Sequence, residues 1–399
     1  MKRLIRKLVP NRLVNLGKHL PEGVMANIQY GFPGKKLRVI GVTGTDGKTT
    51  TVNLIYQMLK DVGKKVSMIS TINSPGLHVT SPNPFLLQKL LKKSLENGDE
   101  FMVLEVTSHA LEQFRVWGIK FEIGVVTNIT HEHLDYHGTF EKYFQAKAKL
   151  IKNVKWAILN KDDANFDKLV NLTTGKIISF GLKKSADVSP FNFPLKLKIP
   201  GEYNVYNAEA SAAVGMVLGL DQLKIKKSLE HFAGLVGRME KIKNNLGVKI
   251  VVDFAHTPNA LEQALKTLRS QTWSGKVGKI ISVFGCAGAR DVEKRPMMGK
   301  ISAKLADITI LTDEDPRYED RNKIIDVIAK AATSAGAVEG ETLFREPDRG
   351  KAIKLAIKMA QKGDTVGIFG KGHEKSMNYQ GKEKLWSDQR AVTWALKHG

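Results

Sequence analysis

The chain has 399 residues, 42% of them hydrophobic and 26% charged, which is the make-up of a folded protein of two or three domains and excludes a disordered or fibrous chain. Its one cysteine, Cys286, excludes a disulfide framework or a cysteine-clustered zinc site and suits a reducing cytoplasm. The formal net charge of +22 suggests an anionic partner such as nucleic acid, a phosphorylated substrate or an anionic membrane, unless the lysines simply solvate the surface.

No helix-turn-helix, zinc-finger or aromatic RNA-binding signature accompanies that charge, so nucleic acid is not expected as a partner. No apolar run reaches the roughly 18–20 residues that span a bilayer. The N-terminus has no apolar core of the signal-peptide kind.

The first forty residues stand apart. They hold nine basic residues (Lys2, Arg3, Arg6, Lys7, Arg12, Lys18, Lys35, Lys36, Arg38) against one acid, Glu22. Leu4, Ile5, Leu8, Leu13, Leu16 and Leu20 fall near helical spacing, interrupted by Pro10. Such a basic amphipathic stretch can lie on a membrane surface, pack on its own domain or form a frayed leader.

From residue 38 onward, apolar strand-like runs alternate with helical segments. The runs are Leu37–Val42, Val66–Ser70, Phe101–Glu105, Gly124–Thr127 and Trp156–Leu159, and then Lys249–Phe254, Lys279–Phe284, Ile308–Thr312 and Thr365–Phe369. Helices are expected at Thr51–Leu59, Asn259–Ser270, Asn322–Thr333 and Asp348–Gln361. The alternation predicts α/β domains with parallel sheets, whose sites lie at the carboxyl ends of the strands. No internal repeat or low-complexity tract is present.

After the first of these strands comes Gly41-Val-Thr-Gly-Thr-Asp-Gly-Lys-Thr-Thr-Thr51. Glycines let backbone N–H groups close around phosphate oxygens at a helix N-terminus, Lys48 can reach terminal phosphates, and the Thr49 hydroxyl can ligate Mg²⁺. The spacing departs from the common P-loop, because position 42, where its first glycine would fall, is valine. The stretch reads as a nucleoside triphosphate site. Glu105, at a strand end about one βαβ unit later, stands where a second Mg²⁺ ligand belongs. The loop Thr127-Asn-Ile-Thr-His-Glu-His-Leu-Asp-Tyr-His-Gly138 again follows a strand, and its three histidines with Glu132 and Asp135 are too polar for a core segment.

These motifs, with Glu105-Val-Thr-Ser-His-Ala-Leu111 and Tyr143-Phe-Gln-Ala-Lys-Ala-Lys149, resemble the Mur ligases, and among them the MurE type, which adds the third amino acid of the peptidoglycan stem peptide. The resemblance continues through Gly201-Glu-Tyr-Asn-Val-Tyr-Asn207, Gly237-Arg-Met-Glu240, Val252–Leu261, Phe284–Asp291, Asp313-Glu-Asp-Pro-Arg317 and Gly370-Lys-Gly-His-Glu374, covering roughly residues 38–399. It implies three parts: a basic amphipathic extension (1–37), a central P-loop ATPase domain with a mainly parallel sheet (38–236) and a C-terminal Rossmann-like α/β domain (237–399).

The resemblance implies roles residue by residue. ATP would be held by Gly44, Thr45, Asp46, Gly47, Lys48, Thr49 and Thr50, with Asn207 at the adenine and Arg238, Asp253 and His256 closing over ribose and phosphate. Lys48, Glu105, His133 and Lys147 would carry the chemistry. Lys147, which read alone is a surface helix lysine, would be carbamylated and hold two Mg²⁺ with Thr49, Glu105 and His133. Thr80, Ser81, Thr107, Gln113 and Arg115 would contact the UDP-MurNAc-dipeptide. Arg290, Glu314, Asp315, Arg317, Gly370 and Glu374 would form the amino-acid pocket, where Arg317 points to meso-diaminopimelate, whose distal centre bears a carboxylate that lysine lacks.

The implied reaction is an ATP-dependent amide ligation through an acyl phosphate, completed as domain closure excludes water. No Ser-His-Asp or Cys-His nucleophile pattern is needed. Alternatives are L-lysine as the amino acid, a folylpolyglutamate-type acceptor, or a non-catalytic ligase-like subunit. The expected enzyme is a cytoplasmic monomer, with peripheral membrane contact through residues 1–36.

The chain departs from the family pattern in several places. Asp315 replaces the asparagine of Asp-Asn-Pro-Arg, where it could pair with the substrate's distal ammonium or repel its carboxylate. Ala287 and Ala289 replace a glycine and an aspartate beside Arg290, and Asp46 stands where asparagine is usual. The MurE type also carries an N-terminal UDP-gripping domain for which residues 1–36 have no room, so UDP recognition is expected to be weakened or supplied differently, the basic leader touching the diphosphate or the membrane.

Overall fold

The computed structural model describes residues 10–74, 80–270 and 278–398. Lys2, Arg3, Leu4, Ile5, Arg6, Lys7 and Leu8 of the leader lie outside the described residues. The chain forms two compact units. One runs through His131 and takes in Thr139–Lys198 and Tyr203–Phe232; the other holds Glu132–Gly138, Ile199–Glu202 and the chain from Ala233 on.

In the first unit, six strands form one sheet: β1 (Arg38–Thr43), β2 (Val66–Ile69), β3 (Phe101–Glu105), β4 (Phe121–Val126), β5 (Trp156–Asn160) and β6 (Lys176–Phe180). Their order is β2-β3-β1-β4-β5-β6, and every neighbouring pair is parallel. A parallel sheet covered by helices on both faces is buried on both, which is why these strands read as nearly unbroken apolar runs. Val39, Ile40, Val42, Val103, Ile123, Val125, Ile158 and Leu159 are all fully buried or nearly so.

Helices Lys48–Asp61, Pro84–Glu96, Ser108–Glu112 and Phe140–Ala148 fill the crossovers, and Glu202–Val217 and Gln222–His231 complete the unit. Short polar side chains start several of them. Asn83 Oδ1 accepts from Leu86 N at 3.0 Å and Thr107 Oγ1 from Ala110 N at 3.1 Å, satisfying amides the helix cannot pair itself. The leader is helical from Asn11 to Tyr30, with a π turn at Asn15–His19, and its Asn27 amide donates to Trp117 O at 2.7 Å. Of the three readings of the leader, the described part is therefore packed on its own unit rather than frayed.

The second unit also has a six-stranded sheet, β11-β10-β9-β12-β8-β7, built from β7 (Glu240–Ile242), β8 (Lys249–Asp253), β9 (Ile280–Phe284), β10 (Ile308–Leu311), β11 (Leu343–Arg345) and β12 (Thr365–Phe369). Only β7 runs antiparallel to its neighbour. A hairpin, β13 (Ser376–Tyr379) and β14 (Lys382–Leu385), follows β12. The short β7, β11 and this hairpin have no strong apolar run, so the sequence pattern passed over them, and it also missed β6, although Ile177, Ile178 and Phe180 give that strand an apolar signal. Val252, Val283, Ile310, Ile353, Ile368 and Val392 are among the residues that make the core.

The largest fully buried side chain of the described residues is Arg349. Its guanidinium grips Asp388 in a bidentate pair (2.7 and 2.8 Å) and donates to Phe369 O (2.8 Å) and Asp313 O (3.1 Å). It thus ties the carboxyl end of β12 and the loop after β10 to the last helix, Asp388–His398. Removing one member of a buried pair leaves the other charge without compensation, at a cost of about 3–5 kcal/mol. Arg349→Met is expected to lose about that much stability in chemical denaturation, and Arg349→Met/Asp388→Leu to recover much of it. A double variant no more stable than the single one would show the pair to be unimportant.

Glu209, inside the helix Glu202–Val217, is fully buried, and neither carboxylate oxygen has a hydrogen-bond partner. Burial pushes its pKa from an ordinary 4.5 up to about 8. Between those values the folded chain holds a proton that the unfolded chain releases, so stability falls as pH rises through the window. Relative to Glu209→Gln, the melting temperature of the native chain is expected to drop by several degrees between pH 5 and 8, read by calorimetry. Parallel pH curves for the two proteins would refute this.

Candidate active site

Parallel pairing sets the first unit's candidate residues side by side. The register places Val42 opposite Glu105 and Thr43 opposite Val126, so the ends of β1, β3 and β4 share one edge. The loop 44–47 emerges there and runs into the helix Lys48–Asp61, whose N-terminus carries a partial positive charge.

Two glycines are sterically required. Gly44 has φ +151°, and a Cβ there would lie 1.8 Å from Thr127 Oγ1. Gly47 has φ +83°, and its Cβ would lie 2.3 Å from Asn207 Oδ1. The loop is braced from β4: Thr127 Oγ1 donates to Asp46 O at 2.6 Å, and Asn128 Oδ1 accepts from Asp46 N at 3.0 Å. Thr45 Oγ1 bonds Tyr143 Oη at 2.9 Å and accepts from Thr130 N at 2.9 Å. Lys48 Nζ folds back on its own loop and donates to Thr45 O at 2.7 Å. Thr50, in the first turn of the helix, is buried.

Asn207 is buried behind this loop, where its Oδ1 accepts from Thr51 Oγ1 at 3.2 Å and its Nδ2 donates to Asn204 Oδ1 at 3.2 Å. Lys147 is not the surface lysine that its local sequence suggests. It is 2% exposed, with Nζ 4.5 Å from the Tyr143 ring centre and donating to Gly44 O at 2.5 Å.

Glu105 is also buried and is surrounded by hydroxyls. Its Oε1 accepts from Thr49 Oγ1 (3.0 Å) and Thr71 Oγ1 (2.9 Å), and its Oε2 from Thr71 N (2.8 Å). Thr71 was missed in the sequence, although it follows β2 at the same sheet edge. Its Oγ1, whose one proton goes to Glu105, is also in hydrogen-bond contact with Thr80 Oγ1 at 3.0 Å. Ser81 Oγ donates to Glu105 O at 3.2 Å and accepts from Thr107 N at 3.3 Å. Arg115 Nη1 donates to Ser81 O at 2.8 Å, and its Nε and Nη2 hold Gln113 Oε1. The five expected contacts Thr80, Ser81, Thr107, Gln113 and Arg115 thus form one hydrogen-bonded strip that begins at Glu105.

Thr49 and Glu105 supply hard oxygen donors within 3.0 Å of each other. Among the described residues no group of three or more His, Cys, Asp or Glu has metal-holding geometry. A hydroxyl and one carboxylate are the donor types that suit Mg²⁺, which keeps several waters and binds through one or two carboxylates together with substrate phosphates rather than in an all-protein cage. An ammonium is no cation ligand, so Lys147 as an unmodified lysine does not join the set.

The second unit gathers the remaining candidates. Asp253 ends β8, buried, accepting from Met239 N (2.6 Å) and Ala255 N (2.8 Å); burial pushes its pKa up, against the pull of Arg238. The Arg238 guanidinium lies over the Phe254 ring at 4.4 Å. Glu132 lies between two histidines, with His133 Nε2 at 3.5 Å and His256 Nε2 at 3.4 Å. His133 is in left-handed backbone, φ +57°. His373, unassigned by the sequence reading, stays neutral, with burial first and Arg238 second lowering its pKa to about 3.

The loops after β9, β10 and β12 carry the residues expected to form the amino-acid pocket. Asp315 and Arg317 both adopt positive φ, +44° and +54°. Asp315 Oδ1 is engaged by Lys371 Nζ (2.9 Å) and by Asn378 N (2.9 Å), and Lys371 also pairs with Glu374. Lys371 is fully buried; burial works against its charge, but Glu374 and Asp315 outweigh it and its pKa is raised. The acid at 315 is thus matched by a cation from the chain itself.

Arg317 N donates to Asn378 O at 3.0 Å and Gln380 N to Arg317 O at 2.6 Å, so the hairpin β13–β14 fixes the backbone that carries Arg317. Arg290 keeps an exposed face, yet crowding by the surrounding protein and the nearby Arg317 both work against its charge, while Asp135, Glu132 and Asp315 support it. The Ala287–Ala289 turn is held by Arg295 Nη2 to Ala287 O (3.3 Å) and by Glu319 Oε1 to Ala289 N (2.5 Å). Gly370 and the buried Glu314 are packed against each other, and burial pushes the Glu314 pKa up.

Residues 42–215 match the Mur ligase middle domain and residues 237–372 the Mur ligase, glutamate ligase domain. The UDP-N-acetylmuramoyl-L-alanyl-D-glutamate–2,6-diaminopimelate ligase of Clostridium botulinum is 37% identical over 400 residues, covering 94% of this chain and 81% of that protein. The ligase of the same name from Aquifex aeolicus is 37% identical over 394 residues, covering 93% of this chain and 80% of that one. A solved structure of a ligase of this name superposes with a TM-score of 0.60 at 33% identity, covering 91% and 78% of the two chains. A folylpolyglutamate synthase of Mycobacterium tuberculosis, at 15% identity and a TM-score of 0.68 over 88% of this chain and 92% of that one, shares the fold. The chain belongs to the Mur ligase family.

Proposed function

We propose that this Mur ligase works in the cytoplasm and uses ATP to join meso-diaminopimelate to the free carboxylate of the glutamyl residue in UDP-MurNAc-L-Ala-D-Glu. The observation that carries the reading is the Gly44–Thr50 loop set beside Glu105 at one edge of a parallel sheet, in a chain 37% identical to diaminopimelate-adding ligases.

A carboxylate does not react with an amine at neutral pH, because its oxygen is a poor leaving group. Attack of the substrate carboxylate on the γ-phosphorus of ATP releases ADP and gives an acyl phosphate. The amine then adds to the acyl carbon, and the tetrahedral intermediate collapses with loss of phosphate. The protein's part is positioning and charge stabilisation. The amides at the start of the helix Lys48–Asp61 and the Lys48 ammonium would face the phosphates.

Thr49 and Glu105 would hold Mg²⁺, which when bound neutralises charge on the phosphate oxygens. Carbamylation of Lys147 would turn a buried cation beside Gly44 into an anion able to join them; His133 is the fourth candidate. The strip from Thr80 to Arg115 would hold the muramoyl-dipeptide. Asn207 would act on the adenine side, with Arg238, Asp253 and His256 at ribose and phosphate. The domain division 1–37, 38–236 and 237–399 is proposed with these roles.

Arg290 and Arg317 would grip the carboxylates of the diamino acid, and Glu374 its ammonium. Asp315 does not weigh against diaminopimelate on this reading, because Lys371 and the Asn378 amide already occupy its carboxylate. L-Lysine, lacking the distal carboxylate, would leave the second arginine unanswered.

Phosphate release from ATP in the presence of UDP-MurNAc-dipeptide is expected to require meso-diaminopimelate and to be near background with L-lysine or no amino acid. Lys48→Met is expected to lower that rate roughly 100- to 1000-fold, as for loss of one preorganised donor. Release with lysine alone would overturn the pocket, and no release with any amino acid would overturn the reaction. Lys371→Met is expected to raise KM for the diamino acid at least roughly tenfold by leaving the Asp315 charge uncompensated, with KM for ATP unchanged. Lys371→Met/Asp315→Asn is expected to restore most of the loss. A double variant as poor as the single one would assign Lys371 some other role.

A further inference from the structure

The helical stretch Asn11–Tyr30 has two faces of opposite character. One is fixed to the first unit through buried Asn15, Gly23, Ala26 and Asn27; a Cβ on Gly23 would lie only 2.7 Å from Phe114 O. The other carries Leu13 (60% exposed), Leu16 (45%), Met25 (59%) and Ile28 (65%). Among the described residues fifteen large hydrophobic side chains are this exposed, and four of them fall in these sixteen positions. The π turn at Asn15–His19 delays the helical register, which brings Met25 and Ile28 round to the side of Leu13 and Leu16.

The surroundings of this face are basic. Arg12 and Lys18 flank it within the helix, Lys35 and Lys36 follow it, and all four are exposed. The one acid between residues 10 and 36 is Glu22, which lies 3.2 Å from His19 Nδ1. Before it in the sequence stand Lys2, Arg3, Arg6 and Lys7, with no acid among them.

We propose that this face docks on an anionic lipid bilayer, with Leu13, Leu16, Met25 and Ile28 entering the boundary between headgroups and acyl chains and the basic side chains meeting the lipid phosphates. An amphipathic helix of this kind lies in the interface plane and needs both contributions. Charge decides the occupant. A second copy seated face to face would bring Arg12 and Lys18 against their own equivalents, whereas anionic lipid complements them. No helix of the described residues is long and apolar enough to cross a membrane, so the contact is peripheral. The proposal is independent of the ligase reaction and of its amino acid.

The test is co-sedimentation of the full chain with vesicles of equal parts phosphatidylglycerol and phosphatidylcholine, and with vesicles of phosphatidylcholine alone. Binding is expected to be at least roughly tenfold tighter to the anionic vesicles and to weaken as salt is raised. Leu13→Glu/Leu16→Glu/Ile28→Glu is expected to lose that binding while keeping the rate of phosphate release. Arg12→Gln/Lys18→Gln/Lys35→Gln/Lys36→Gln, which leaves the apolar face intact, is expected to lose the preference for anionic lipid; it serves equally if the triple variant fails to fold. No binding at low salt, equal binding to both vesicles, or binding unchanged by the charge variant would overturn the proposal. So would a lipid-free dimer that the triple variant abolishes without vesicle binding in the native chain.

Discussion

Parallel pairing is the constraint on which both units depend. In a parallel sheet every strand points the same way, so the backbone leaves all of them at one edge, and the loops that follow must share that edge. The registers Val42–Glu105 and Thr43–Val126 therefore make neighbours of residues some sixty to eighty positions apart in the chain. The Thr127 and Asn128 bonds to Asp46 are a direct product of that alignment: the end of one strand stiffens the loop leaving the next. A loop braced in this way can hold its amides toward a phosphate without reorganising, which is the condition for electrostatic catalysis.

The second unit uses the corresponding edge of its own sheet but organises it with buried charge. Arg349 directs four guanidinium hydrogen bonds to Asp388, to Phe369 O at the end of β12 and to Asp313 O in the loop after β10. Lys371 is shared between Asp315 and Glu374. Buried ion pairs are weak evidence for stability, since desolvation takes back much of the attraction, but they are strict about geometry. Here the Lys371–Asp315 pair braces the left-handed backbone at Asp315, and the hairpin β13–β14 braces that at Arg317.

Asp315 shows how a departure from a family pattern is read differently in one and three dimensions. On the sequence it is an acid introduced beside a carboxylate-binding arginine. In the fold its charge is taken up by Lys371, a residue fifty-six positions later, and by a hairpin amide. The nearby hairpin β13–β14 carries no apolar signal of its own, yet it sets the backbone at Arg317.

Much was legible in the residues. The alternation of buried strands and helices, the glycine turn before Lys48, the strand-end Glu105 and the family motifs are all local features, readable because side-chain period and turn chemistry are properties of neighbouring residues. The tertiary structure alone decided what depends on residues distant in sequence. It buried Lys147 against Gly44, set Thr71 on the Glu105 carboxylate, placed Asn207 behind Gly47, and matched Lys371 to Asp315. It also gave the leader one fixed face and one bare apolar face, because the partner surface around Phe114 and Trp117 lies some ninety residues downstream. The sequence by itself determined the apolar strands, the glycine turn and the family; the fold decided which charges meet, because a charge is compensated only by what lies next to it in space.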